Sequence, residues 1–386
     1  MVSNTENGPL AGIKVVELAG LGPASFTCML LADMGAAVIR VDRTAAADFG
    51  APVDPRHQLL NRGRRSIALD LKRDEAIEIV KRLVRDADAL VEGYRPGATE
   101  RMGLGPDACL EINPRLVYGR MTGWGQDGPL AHSAGHELNF TALTGALDSI
   151  GSRGGPPVLP LNLIGDFGGG ALYLAFGIAC ALLETRTSGQ GQVIDGAIVD
   201  GVAHLMTGVF GMMARHDWSR ERGENLLSGG RPWYAVYETR DHRYITLGAV
   251  EKRFYREMLI KTGLLRDEFL DRDDRSMWPR LAEALGQAIR IRTRDEWMEL
   301  LQGTDVCFAP VLSVDEAPDH PHMKAREIFV ESHGVVQPAP APRFGRSKPA
   351  LTLPPPTPGQ HSRELLHELG FDSARIEGLY ARGVVI

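Results

Sequence analysis

Short β-type runs alternate with helical stretches through the first third of the chain, and this alternation limits the possible folds more than any other feature. Ile13–Leu18 is an apolar strand, Ala19–Pro23 a Gly-containing turn, Ala24–Met34 a helix stopped by Gly35, and Ala37–Val41 the next strand. That is a βαβ unit, whose crossover is right-handed. The theme recurs. Ser66–Leu69, Ala89–Glu92 and Leu116–Met121 read as strands. Between them, Asp74–Ala87 is an amphipathic helix with Ala76, Ile77, Val80, Leu83 and Val84 on its apolar face, and Pro106–Ile112 is a shorter helix. Such alternation predicts an α/β class with a mostly parallel sheet covered on both faces. Ligands of these sheets bind beyond the strands' C-terminal ends. The loops to search are therefore Ala19–Pro23, Asp42–Arg43, Gly93–Gly97 and Thr122–Pro129.

A chain of 386 residues has room for two domains. We assign 9–217 to a large, Rossmann-like α/β domain. Residues 225–325 form a smaller α+β domain, opened by a β-hairpin around Thr239–Arg243. The stretch 335–386 holds eight prolines between Pro338 and Pro358, then two short helical patterns. It reads as a Pro-rich strap and C-terminal helices returning to the large domain. Phe167–Leu183 is the longest apolar run. It holds four glycines and is bracketed by Asp166 and Glu184, so it reads as a buried core helix rather than a membrane span.

The charge balance, 43 Lys+Arg against 49 Asp+Glu, argues against nucleic-acid binding, which leaves a basic footprint. Cys28, Cys109, Cys180 and Cys307 are far apart, with no C-x-x-C. No zinc knuckle or disulfide scaffold is expected, and a reducing cytoplasmic setting fits. The polar stretch Met1–Leu10 carries no signal-peptide core. His320-Pro321-His322 lacks supporting carboxylates, so no metal site is expected.

Four features carry possible chemistry. Gly20-Leu21-Gly22-Pro23-Ala24-Ser25 half-matches G-x-G-x-x-G, with Asp42 where a ribose-binding acid would fall. Pro23 removes an N–H and Ser25 replaces the third glycine, so a plain βαβ turn is favoured over dinucleotide binding. Arginines gather near strand ends at Arg40, Arg43, Arg62, Arg64, Arg65, Arg95 and Arg101, where guanidinium groups can grip phosphates. Asp166 opens the long apolar helix ahead of Gly168–Gly170. It is either a helix N-cap or a functional acid, with the glycines letting a ligand approach bare N–H groups. His136 opens another helix, where the dipole disfavours the imidazolium. It is either structural or a proton-transfer group.

These segments together resemble the family III CoA-transferase group, which includes the α-methylacyl-CoA racemases. The resemblance runs through Val15-Val16-Glu17-Leu18-Ala19-Gly20, Glu92-Gly93-Tyr94-Arg95-Pro96-Gly97, Met121-Thr122-Gly123-Trp124-Gly125-Gln126, Gly135–Phe140 and Gly165–Gly170. It implies an interlocked homodimer with each active site shared between subunits. It implies His136 and Asp166 as the catalytic pair, with Glu251 as an acid supporting the histidine. It further implies coenzyme A contacts at Arg43, Leu69, Asp70, Leu71, Lys72, Gly93, Tyr94, Arg95, Arg101, Gly135, Glu137, Leu138, Asn139 and Phe140. Racemases of the group tend to read His-Asp-Ile-Asn-Tyr where this chain has His136-Glu137-Leu138-Asn139-Phe140. The implied reaction is two-base epimerisation of a 2-methylacyl-CoA, with coenzyme A part of the substrate and no separate cofactor. The enolate would be stabilised by N–H groups at Gly168–Gly170. The alternative is a CoA-transferase with Asp166 as nucleophile. No nucleic-acid or membrane partner is expected.

Overall fold

The structure is a computed structural model that describes residues 8–20, 22–45 and 53–386, and the chain divides into two units. The first comprises the described residues up to Thr144, together with Leu161–Leu205 and Arg326–Ile386. The second comprises Gly145–Pro160 and Met206–Ala325. Residues 145–160 and 206–217, assigned from sequence to the large domain, thus lie in the second unit.

The first unit is built on six parallel strands. In chain order these are β1 (Lys14–Leu18), β2 (Ala37–Arg43), β3 (Arg64–Leu69), β4 (Ala89–Glu92), β5 (Val117–Thr122) and β6 (Val193–Ala197). Their spatial order is β3-β2-β1-β4-β5-β6, with all pairings parallel. The order reverses between β1 and β4, so the loops after those strands flank the crevice where such sheets hold ligands.

Helix α1 (Pro23–Asp33) starts on Pro23, whose ring presets φ, and the chain leaves its end through Gly35 at φ 97°. α2 (Asp74–Arg85) buries Ala76, Ile77, Val80, Leu83 and Val84, and carries Asp74 and Glu75 at its start and Arg82 and Arg85 at its end, which suits its dipole. α3 (Pro106–Ile112) and α4 (Glu137–Leu143) follow. A nine-residue π-helix, Leu163–Ala171, runs directly into α5 (Leu172–Ser188), and α6 is Ile198–Leu205.

The run from Leu163 to Ser188 is long and apolar enough to cross a membrane by length and composition. It is not the fully buried helix expected from sequence. Leu174, Ile178 and Ala181 are buried, and Leu174 and Ile178 pack where a side chain at Gly119 of β5 would sit. The opposite face is bare: Leu172, Phe176 and Leu183 are 51%, 70% and 68% exposed. Apolar side chains all round a helix need a partner on each side. The sheet supplies only one.

The second unit holds the antiparallel hairpin β7 (Tyr234–Glu238) and β8 (Tyr244–Gly248), then helices α7 (Lys252–Lys261), α8 (Trp278–Ile289) and α9 (Arg294–Leu301), and strand β9 (Phe308–Pro310) paired to β8. Its core is Trp233, Ile245, Leu247, Met258, Leu259, Leu281, Leu285 and Trp297.

The chain then returns to the first unit. The hairpin β10 (Phe329–Ser332) and β11 (Val335–Pro338) precedes the proline-rich stretch, which ends in α10 (Ser362–Glu368) and α11 (Ser373–Ala381). Leu365, Leu366, Ile376 and Leu379 enter the same core as Val16, Leu18, Ile67, Leu90 and the apolar face of α2. Val385 pairs with Leu69, covering the outer edge of β3.

Candidate active site

Asp166 lies inside the π-helix, four residues past its N-cap Asn162, so the N-cap reading of Asp166 does not hold. Gly168–Gly170 do not line an open approach either. A Cβ on Gly169 would stand 2.6 Å from Val202 Cγ2, and one on Gly201 of α6 would stand 1.8 Å from the Gly169 carbonyl oxygen. The glycines permit a close crossing of two helices. Their N–H groups fall within i→i−5 bonding, so they are not free to hold an enolate. α1 steadies the segment from the other side: Thr27 Oγ1 donates to Ala171 O at 3.2 Å, and Phe26 stacks on Phe167 at 4.4 Å.

His136 is the N-cap residue of α4, and its N–H donates to Asn139 Oδ1 at 3.0 Å. The next residue ties this helix start to the π-helix. Glu137 Oε1 accepts from the Gly165 N–H at 3.0 Å, Oε2 accepts from the Asp166 N–H, and Thr141 Oγ1 donates to Oε1 at 3.1 Å. A Cβ on Gly165 would lie 2.1 Å from Glu137 Oε2, so the carboxylate fills the space that glycine leaves. Glu137 and Gly165, 28 residues apart in sequence, thereby join the first turns of two helices at one point.

The Asp166 carboxyl is half-buried, and its pKa is pushed up to about 6. Burial is the main cause, and the negative charge of Glu137 adds to it. A hydrogen bond from Asn162 and the charge of His136 pull the other way. The imidazole thus lies near enough to act on this carboxyl. A Cβ on Gly22 would meet Asp166 Oδ2 at 3.4 Å, so the acid lies over the first β–α turn, beside the crevice. Of that turn, Leu21 lies outside the described residues. A carboxyl with a pKa near neutrality can both take and return a proton.

The turn's polar side chains are bonded within the protein. Ser25 is buried with its hydroxyl 3.2 Å from Glu17 Oε1 and from Gly20 O, and Asp42 is held by Ser66 Oγ at 2.6 Å and Arg40 Nε at 2.9 Å. Most of the clustered arginines are likewise internal. Arg64 Nε meets Glu17 Oε2 at 2.9 Å with both side chains fully buried, and Arg40 pairs with the same carboxylate. Arg62 pairs with Asp33 at 2.6 Å, and Arg65 with Glu368 at 2.7 Å.

Arg43, Arg95 and Arg101 differ. All three are exposed, and none has an ion-pair partner among the described residues. Arg43 ends β2 and stands 5.6 Å over the Tyr94 ring, whose hydroxyl donates to Ala19 O at 3.1 Å. Gly93, Tyr94 and Arg95 follow β4, and Leu69 ends β3, with Asp70, Leu71 and Lys72 after it. Buried Glu92 shapes the Gly93–Arg95 turn by accepting from the Tyr94 N–H at 2.6 Å and from Arg120 Nε at 2.9 Å. Phe140, an expected coenzyme contact, is 7% exposed and packs edge-on against Trp124 at 4.7 Å. Its ring fills the space over Gly123 and Gly135, where a Cβ would overlap it at 2.0 and 2.6 Å. Glu251 lies in the second unit as the exposed N-cap residue of α7. No cluster of possible metal ligands exists among the described residues.

Sequence reasoning missed the Glu137 carboxylate as the tie between the two bases. The available signal was an acid in the first turn after His136, together with a glycine immediately before Asp166.

Residues 10–362 match the family model described as CoA-transferase family III, and the chain belongs to that family. Within it, the chain is 39% identical over 379 residues to an alpha-methylacyl-CoA racemase of Mus musculus, covering 97% of each chain. It is 40% identical over 380 residues to that of Homo sapiens, again with 97% of each covered. A crystal structure of a CAIB/BAIF family protein from Brucella suis superposes with a TM-score of 0.82 at 26% identity, covering 94% of this chain and all of that one.

Proposed function

We propose that this protein is an acyl-CoA isomerase that interconverts the (R)- and (S)-forms of 2-methylacyl-CoA thioesters by proton transfer at C2. The single observation that carries the mechanism is the Glu137 tie, which brings the start of α4, with His136, against Asp166. Near-full-length similarity to two racemases supports the reaction class.

One of His136 and Asp166 removes the C2 proton, and the C–H electron pair delocalises into the thioester as an enolate. The other group delivers a proton to the opposite face, and the carbonyl re-forms. Charge and redox state are unchanged overall. Each general acid–base step contributes about 10²–10⁴-fold. With Gly168–Gly170 committed to the π-helix, the backbone donors open to the enolate oxygen are those of the first helical turns, including Glu137 and Leu138 of α4. We assign Arg43, Arg95, Arg101 and the Leu69–Lys72 segment to the coenzyme A portion, because these residues follow strand ends and the three arginines are free for phosphate. Coenzyme A enters as part of the substrate. Glu251 is assigned as the acid supporting His136 on the strength of the family resemblance.

The bare apolar face at Leu172, Phe176 and Leu183 supports a homodimer. We assign it to a second copy rather than to lipid, because the other face of the same helix is spent on the sheet.

The test is incubation of each 2-methylacyl-CoA enantiomer with the protein in D₂O. Deuterium at C2 from either enantiomer, lost in His136→Ala, is the expected result. Epimer without solvent label would overturn the scheme. An acyl group on Asp166 that hydroxylamine traps would select CoA transfer instead.

A further inference from the structure

The second unit carries a cavity of about 840 Å³ that the proposed reaction does not use. Two arginines on its wall converge on one aromatic ring. The Arg231 guanidinium stacks 4.1 Å over Trp278, and that of Arg275 stands 5.5 Å from the same ring. Arg231 is fixed in place, because its Nη1 donates to Glu224 O at 2.8 Å and to Gly230 O at 3.1 Å. Carbonyls bear no net charge, so its positive charge is oriented but not neutralised.

The acids lining the cavity are already engaged. Glu224 pairs with Arg153 at 3.0 Å and accepts from Ser219 Oγ at 3.1 Å. Asp217 pairs with Arg215 at 3.2 Å. Beside Arg275, Asp274 accepts from the Ser276 N–H and hydroxyl at 3.0 and 2.7 Å. Neither Arg231 nor Arg275 has a carboxylate within ion-pair distance among the described residues. Burial, and after it the neighbouring charge of Arg275, lower the Arg231 pKa, while the Glu224 charge opposes them only in part. The rest of the wall includes Trp218, Pro232 and Val236, so the space suits an apolar body as well as a charged head.

We propose that this cavity is a binding site for a small molecule bearing a carboxylate or phosphate group, held between Arg231 and Arg275 over Trp278. A planar oxyanion can accept from the free edge of Arg231 and from Arg275 together, the geometry in which arginine binds anions most strongly. The volume accommodates a body well beyond a bare ion, and the apolar wall gives that body a place. The proposal concerns binding alone and invokes no chemistry at His136 or Asp166.

Calorimetric titration of the full chain with benzoate and with inorganic phosphate tests it. Saturable binding of at least one probe is expected, weakened about tenfold or more in both Arg231→Ala and Arg275→Ala, with unchanged circular dichroism. Tighter benzoate assigns a carboxylate, and tighter phosphate a phosphoryl group. Anion-dependent quenching of indole emission should fall in Trp278→Phe, which keeps a ring but removes that reporter. If Arg231→Ala fails to fold, Arg275→Ala carries the test, because the Arg275 side chain is exposed. No binding of either probe tighter than about 10 mM, or equal affinity in both arginine variants, overturns the proposal.

Discussion

Glu137 accepts a hydrogen bond from the backbone N–H of Asp166, so one carboxylate holds another in place while repelling its charge. Burial is the main reason Asp166 keeps its proton, and the residue that fixes its position adds to that tendency. Glu137→Gln removes the repelling charge and leaves one of the two N–H groups without an acceptor. We expect the pKa governing the Asp166 step to fall below about 6, with a loss in kcat and little change in the KM for acyl-CoA. The pH profile of C2 isotope exchange checks this. An unmoved profile would show that Glu137 acts only as packing.

Asp166 also links pH to stability. Its native pKa of about 6 lies above the ordinary carboxylate value of about 3.9, so the native state binds this proton more tightly than the unfolded chain does. The group's effect is neutral below about pH 4 and becomes a penalty as pH rises through 6. Asp166→Asn should therefore be inactive yet more stable at pH 7.5, by about 1 kcal/mol once solvent screening of a half-exposed group is allowed for. Thermal melts at pH 4 and pH 7.5 decide it, since the gain should vanish at the lower pH.

The arginines separate into two groups with opposite expected phenotypes. Glu17→Gln leaves Arg64 buried without its carboxylate and should cost about 3–5 kcal/mol in urea unfolding. Arg43→Ala removes an exposed cation and should change stability by less than about 0.5 kcal/mol, while raising the KM for acyl-CoA about tenfold. A stable Glu17→Gln, or an unaffected KM in Arg43→Ala, would contradict the assignment.

Gly201→Ala places a methyl group 1.8 Å from the Gly169 carbonyl oxygen. The π-helix and α6 must then part, at a cost of about 1–3 kcal/mol or more. Because Asp166 rides on the displaced segment, exchange activity should fall with stability. Denaturant midpoints and C2 exchange rates on the same preparation test the coupling.

The sheet was legible because its information is local. A run such as Val15–Leu18, or the apolar face of α2, announces its element through period and length alone. His136 was legible as a helix-opening residue; Asp166 was legible as an acid beside glycines, though it lies inside its helix rather than at the start, and the family resemblance supplied their pairing. What each charge and glycine is for was not legible. Arg40, Arg62 and Arg64 looked like phosphate grips and are internal counter-ions. Gly168–Gly170 looked like a ligand approach and permit a helix crossing.

By itself, then, the sequence determined the β–α alternation, the loops that follow the strand ends, and which side chains were chemically able to move a proton. Only the tertiary structure decided which charges were spent on the protein itself. Arg62 meets Gln337 across 275 residues and Glu137 meets Gly165 across 28. An arginine reads the same in sequence whether its partner is water, a phosphate or a buried carboxylate. Burial and distance settle that choice, and both come from how remote segments pack rather than from any local pattern.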